Sequence, residues 1–283
     1  MRINDRVPSV NGVSAGQIAT CNIPIGRRIH TLDINTKNPG TGVASLTLAQ
    51  LPDIKLKVNN EVSRQYTAAH LDAINQYNGR PSFATTGGIL KMYMDRGIFK
   101  ERLEEEDTAL NTGDRGKDGR IIESVSLEMT IATGTTPFLN VNAKYSERLV
   151  GRGPGSLLRA LPRTVAVSAS GDFTLTDLDA GDVLHPLLSA MYVFNANVTA
   201  LEVKRGTEIV HDRTKAENES CQLEHRLRFP QAGLHVYDPC EEGYGLNMLQ
   251  LVNFVRGSFL QTFTLSAADT LIIYPEYVGV TAR

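Results

Sequence analysis

Ile54-Lys-Leu-Lys-Val58, followed by Asn59-Asn60-Glu61, is the stretch that decides how this 283-residue chain is read. Apolar and charged residues alternate strictly over its first five positions, the period of a strand with one buried face. The Asn-Asn-Glu that follows is a polar turn. A strand-like run, Arg28-Ile-His-Thr-Leu-Asp-Ile34, precedes it, and a helix-like segment runs from Thr67 to Asn78. In that helix Thr67 suits an N-cap, Leu71, Ile74 and Tyr77 share a face, and Asn78-Gly79 stops it. The same parts recur in the same order between Met191 and Leu227. Met191-Tyr-Val-Phe194 is strand-like and Ala200-Leu-Glu-Val-Lys204 alternates. Arg205-Gly206-Thr207 turns, and Thr214 to Arg226 is a polar helical stretch. Leu56-Lys-Val58 aligns with Leu201-Glu-Val203 at a spacing of about half the chain. A β-rich motif repeated at half-length predicts two similar β-domains in tandem.

Working outward, the first half adds strand patterns at Gly88–Met94, apolar on both sides, at Ile121–Thr130, and at Phe138–Tyr145. The second half has strand signals near Arg163–Ser168, Phe173–Thr176, Leu187–Phe194, Val198–Lys204, Gly233–Tyr237, Met248–Val255, Phe259–Leu265 and Thr270–Val278. Ser124–Thr130 corresponds to Phe259–Leu265, and Phe138–Tyr145 to Thr270–Tyr277. Short strands separated by turn residues predict jelly rolls or sandwiches. Val150-Gly-Arg-Gly-Pro-Gly155 reads as a linker between the halves. Asp95 to Arg120, charged and then glycine-rich, reads as a solvated excursion rather than core. Met1 to Gly16 is either a frayed terminus or an arm that orders against a neighbour. The expected division is an N-terminal arm over 1–20, a first β-domain over 21–148, a linker over 149–161 and a second β-domain over 162–283.

A net charge of −2 carries no nucleic-acid signal, and the absence of Trp with 6% aromatics argues against a stacking platform for bases or sugars. Three widely spaced cysteines form no CxxC and predict reduced thiols, as in a cytoplasm. Neither a secretory signal nor an apolar run of about 20 residues is visible. Six histidines form no HxH or HExxH, and GxSxG, P-loop and GxGxxG patterns are missing. Asp114-Arg-Gly-Lys-Asp118 has the look of a calcium-loop fragment but lacks the alternating oxygen ligands and terminal Glu, so a surface turn is the better reading. No catalytic, cofactor or metal residue is therefore assigned. The surface itself is the expected function, and the chain is not expected to be an enzyme.

Asn22-Ile-Pro-Ile-Gly26, His30-Thr-Leu-Asp-Ile34, the strand-turn-helix ending near Asn78, and Thr270-Leu-Ile-Ile-Tyr-Pro-Glu-Tyr-Val-Gly279 together resemble the corticovirus-type phage major capsid protein. That resemblance implies an all-β fold of two tandem eight-stranded jelly rolls, a double jelly roll, with short flanking helices. It implies a structural virion protein that assembles as pseudo-hexagonal trimers into an icosahedral shell over an internal lipid membrane. The implied partners are copies of itself, neighbouring capsomers, penton and minor capsid or membrane proteins, and the membrane surface, with no nucleic acid. The implied location is the virion, after synthesis in the host bacterial cytoplasm. Arg2 and Arg6 are the candidates for meeting anionic head groups. The resemblance admits a structural calcium ion without assigning ligands. The alternative is a tandem jelly-roll carbohydrate- or receptor-binding protein, a spike or lectin.

Overall fold

The computed structural model describes residues 2–96, 98–176, 178, 184–251 and 259–280. Its first half comprises β1 (Ile3–Arg6), β2 (Ile18–Ile23), β3 (Arg28–Asn35), β4 (Asp53–Val58), β5 (Glu61–Tyr66), α1 (Ala68–Tyr77), β6 (Ile89–Tyr93), α2 (Arg102–Glu106), β7 (Leu110–Asn111), β8 (Val125–Thr130) and β9 (Asn140–Ser146). After β10 (Leu157–Ala160), the second half comprises β11 (Arg163–Val167), β12 (Gly171–Leu175), β13 (Leu187–Phe194), β14 (Val198–Arg205), β15 (Glu208–Thr214), α3 (Lys215–Glu224), β16 (Leu234–Tyr237), β17 (Leu249–Gln250), β18 (Phe259–Leu265) and β19 (Asp269–Gly279).

The two halves share one connectivity. In the first, β1-β9-β3-β6 faces β2-β8-β4-β5; in the second, β11-β19-β13-β16 faces β12-β18-β14-β15. Each is a jelly roll with one helix, α1 or α3, between its fifth and sixth principal strands. β10 joins them: it pairs antiparallel with β19 and meets β5 in parallel at Ala160 and Arg64, so one ten-stranded sheet crosses both barrels.

Local sequence explains these elements. In β4, Ile54, Leu56 and Val58 point into the core, while Lys57 on the outer face pairs with Glu128 of β8 at 2.5 Å. Asn59 and Asn60 both hold positive φ (51° and 67°), the two-residue turn whose twist suits a hairpin, so β5 follows directly. Thr67 caps α1 by accepting the His70 N–H. Thr214 caps α3 in a capping box with Glu217.

Several expectations need correction. Residues within the expected N-terminal arm are paired: β1 lies in register with β9 from Ile3↔Tyr145 to Arg6↔Asn142, and β2 starts at Ile18. Ladder hydrogen bonds to an existing sheet order this segment despite its polar sequence. Part of the expected linker is the strand β10. The segment read as a solvated loop, Asp95–Arg120, buries Asp95, Arg96, Thr108, Leu110, Asn111, Thr112 and Asp114. Asp95, Arg96 and Asp114 are held inside the protein, which composition alone does not reveal, while Glu101, Arg102, Arg115, Lys117 and Asp118 stay exposed. In β6 only Leu90 and Met92 are fully buried; Lys91 and Tyr93 are half-covered, Lys91 by Asp33 and Tyr93 by the Arg80 guanidinium 3.8 Å from its ring centroid. The strand expected over Met248–Val255 appears as β17 and then passes outside the described residues.

Candidate assembly interface and the junction between the barrels

The two barrels meet at a junction that is packed from both sides. β13 is buried along nearly its whole length because both its faces are covered. Met191 and Val193 point into the second core, while Ala190 and Tyr192 join the first core together with Leu234, Val236 and Tyr274. Helix α1 supplies the other half of that contact. The His70 ring stacks on Phe194 at 3.9 Å, its Nδ1 hydrogen-bonds the Tyr274 hydroxyl at 2.8 Å, and Tyr77 meets Tyr192 edge-on at 5.9 Å.

A buried ionic seam lies beside the aromatic one. Arg228 Nε donates to Asp238 Oδ2 at 2.6 Å, Tyr77 Oη donates to the same oxygen at 3.3 Å, and Arg228 also reaches the Ile98 carbonyl at 3.0 Å. Burial alone would lower the Arg228 pKa; the adjoining Asp238 carboxylate more than offsets this and holds it above its ordinary range. Burial, and then the Asp238 charge, push the Tyr77 hydroxyl well above its usual value. Arg96, fully enclosed, donates to the Gly245 carbonyl at 2.8 Å and pairs with Asp107 at 3.4 Å. Glu276 is buried and its pKa is raised by that burial, opposed by Arg64. These bonds tie the 95–107 segment of the first barrel to the 228–245 segment of the second.

The glycine-rich stretch between the barrels is clamped. The backbone N–H groups of Gly151 and Gly153 donate to the Asp114 carboxylate at 3.1 and 2.7 Å. Gly151, Gly153 and Gly155 all hold positive φ, which lets the loop curl its amides around that anion. These amide bonds lower the Asp114 pKa. Asn111 adds Nδ2 bonds to the Leu149 and Gly153 carbonyls and accepts the Leu149 N–H. The stretch read as a linker is thus held in place: its composition shows the freedom of the glycines, not the side chains that hold them.

The two arginines singled out from sequence occupy unlike settings. Arg2 pairs with Glu106 at 2.6 Å and Asp95 at 3.5 Å, beside His30, whose Nδ1 meets Asp95 at 3.2 Å. Arg6 ends β1 on an exposed position. Among the described residues no group of three or more His, Cys, Asp or Glu is placed to hold a metal ion, and no helix is long and apolar enough to cross a membrane. Cys21, Cys221 and Cys240 are free, and burial pushes the thiols of Cys21 and Cys240 up to about 12.

Similarity to known proteins follows this geometry along the whole chain. Its fold matches the major capsid protein P2 of bacteriophage PM2 at 19% identity, covering 100% of this chain and 99% of that one, with a TM-score of 0.85. The major capsid protein of Sulfolobus turreted icosahedral virus matches at 12% identity over 99% and 97% of the chains, TM-score 0.69. The PBCV-1 virus capsid matches at 11% identity over 98% and 94%, TM-score 0.57. No curated protein sequence matches. Residues 4–146 match the family model of the viral coat protein P2 N-terminal domain, and residues 157–281 that of its C-terminal domain. With both barrels so matched, the chain belongs to the viral coat protein P2 family and is a double jelly-roll structural protein of a virus shell.

Proposed function

We propose that the chain is the major capsid protein of a membrane-containing icosahedral bacteriophage and assembles as a pseudo-hexagonal trimer. The observation that carries this reading is the fused junction: two barrels of one connectivity, joined by a shared sheet and a buried seam. Three rigid pairs supply six similar edges, and a six-sided tile can pack a shell. Neighbouring capsomers, penton and minor capsid or membrane proteins are the partners of such a tile. The internal membrane lies beneath it, with the exposed Arg6 better placed than the ion-paired Arg2 to meet anionic head groups. The location is the virion after synthesis in the bacterial host cytoplasm, and the role is structural rather than enzymatic. A carbohydrate- or receptor-binding spike is not favoured, because both family models are those of a coat protein.

The test is the mass of the native particle in solution by sedimentation and native mass spectrometry. A trimer is expected. A chain that stays monomeric at high concentration and is absent as trimers from the virion overturns the reading.

A further inference from the structure

We infer that two oppositely charged, apolar-centred patches of this chain form the contact between copies, each patch of one copy meeting the other patch of the next. This rests on the self-assembly proposed above. Among the described residues the three most exposed large apolar side chains are Leu103 (85%), Leu246 (78%) and Val150 (77%). Nothing among the described residues covers them, yet they are not scattered.

Leu103 and Leu246 belong to one patch. The Lys100 N–H donates to the Gly243 carbonyl at 2.9 Å and the Gly245 N–H to Glu104 Oε2 at 2.7 Å, so residues 100–104 run alongside 243–245. The exposed Leu103, Tyr244 and Leu246 therefore lie on adjoining segments. The patch lies on an acidic segment: residues 101–107 hold five acids against one base. Arg2, Arg28 and Arg102 offset the charge of Glu106, Arg96 pairs with Asp107 and Lys100 lies over the Tyr244 ring at 4.1 Å, so the acidity left at the surface comes from the exposed Glu101 and Glu242.

Val150 belongs to the other patch, beside the half-exposed Leu149. Asp114 and Asn111 hold its loop rigidly, so the apolar ridge is presented rather than mobile. Around it, residues 115–120 and 148–152 together hold five bases against one acid. The two loops touch through Gly116 and Gly153, and Lys117, Arg120 and Arg152 line a cleft of about 630 Å³ between them. One patch is acidic around Leu103 and Leu246; the other is basic around Val150.

Like against like would set acid against acid, so a two-fold contact using one patch twice is disfavoured. Unlike against unlike is favourable and runs head to tail. A head-to-tail contact closes into a ring when its rotation permits, as a three-fold tile requires. Apolar centres exclude water while the charged rims select the partner and its orientation.

The experiment is sedimentation of the purified full chain and of four variant sets, each checked for an unchanged thermal melt. Arg148→Glu with Arg152→Glu should weaken trimer association at least about a hundredfold, and Glu101→Arg with Glu242→Arg should do the same. All four changes in one chain should restore association to within about tenfold of the unaltered protein, because the charges are then exchanged. Leu246→Asp with Val150→Asp supplies a charge-independent check and should give monomers. If the variants remain trimers, the patches are not the contact and the inference falls, while the trimer reading stands. If each pair disrupts but the fourfold exchange does not restore, the patches do not meet each other and the inference also falls. An unaltered chain that is monomeric refutes the underlying reading instead.

Discussion

Acidification from pH 7 to pH 5 should loosen the second barrel from within. His235 on β16 faces the second core with Tyr237, is almost fully buried, and has no hydrogen-bond partner at either ring nitrogen. His211 on β15 packs edge-on against Tyr237 at 5.1 Å with its Nε2 unpartnered. Burial, with Lys215 nearby, lowers the His235 pKa to about 4; burial, with Arg213 and His235 nearby, lowers that of His211 to about 3. In the unfolded chain both sit near 6.5. A depressed folded pKa means that stability is complete above about pH 6.5 and is lost as pH falls toward the folded value. At pH 5 the unfolded chain binds protons that the fold refuses, which costs about 2 kcal/mol for each histidine. Against a total of about 5–15 kcal/mol this is substantial. The buried Glu276 and the half-buried Glu241, whose pKa values are raised by burial, act in the opposite sense, so the informative quantity is a difference between proteins. His235→Leu removes the titrating group and an unsatisfied polar ring together. Urea unfolding of this variant and the unaltered protein at pH 7, 6 and 5 should show the variant's advantage growing by about 2 kcal/mol between pH 7 and pH 5. A pH-independent difference would refute the reasoning, because His235 would then be solvated or already charged in the fold.

Asp238→Ala should strand Arg228 in the junction and destabilise the protein by about 3–5 kcal/mol in urea unfolding, while Arg228→Met with Asp238→Leu should cost much less; equal losses would show that the charges matter only through volume. Asp114→Ala should release the loop around residues 149–153, so that limited trypsin cuts after Arg148 and Arg152 about tenfold faster with the barrels still folded. The Asp114 pKa is lowered, so its clamp is present at neutral pH and should be lost only as pH falls below about 4; unchanged cleavage rates would mean that Asn111 alone holds the loop. Val58→Asp and Val203→Asp should each bury an unpaired carboxylate and cost several kcal/mol, since both positions are buried; wild-type stability in either would disprove the strand facing.

The repeat was legible because alternation survives in the strands that line each core: Ile54, Leu56 and Val58 in one barrel, Leu201 and Val203 in the other. The hairpin partners were not. β5 and β15, Glu-Val-Ser-Arg-Gln-Tyr and Glu-Ile-Val-His-Asp-Arg-Thr, are polar strands whose pattern is weak. The signal that marks the first of them is the Asn59-Asn60 pair, which favours a two-residue hairpin over an open turn. α3 is as polar as its sequence reads because its buried residues are Asn218 and Gln222, both donating to the Val236 carbonyl. Hydrogen bonds there replace an apolar stripe, so hydrophobic periodicity does not show which face of this helix is buried. The junction was least legible of all. Tyr77 and Asp238 are 161 residues apart, and no local pattern encodes their meeting.

The junction also explains why the subunit is a pair of barrels rather than two beads on a string. The outer face of the sheet holding β13, β16 and β19 carries Tyr192, Phe194, Leu234, Val236 and Tyr274, the aromatic and aliphatic side chains that α1 covers. Separating the barrels would expose that face to water, a patch more apolar than an isolated soluble domain tolerates. The same packing therefore holds the barrels together and fixes the angle between them. A six-sided tile of three chains needs that fixed angle, because a flexible pair would present edges in many orientations and close no lattice. In this chain the clamp on the glycine loop, the ionic seam and the shared sheet all act to hold that one angle.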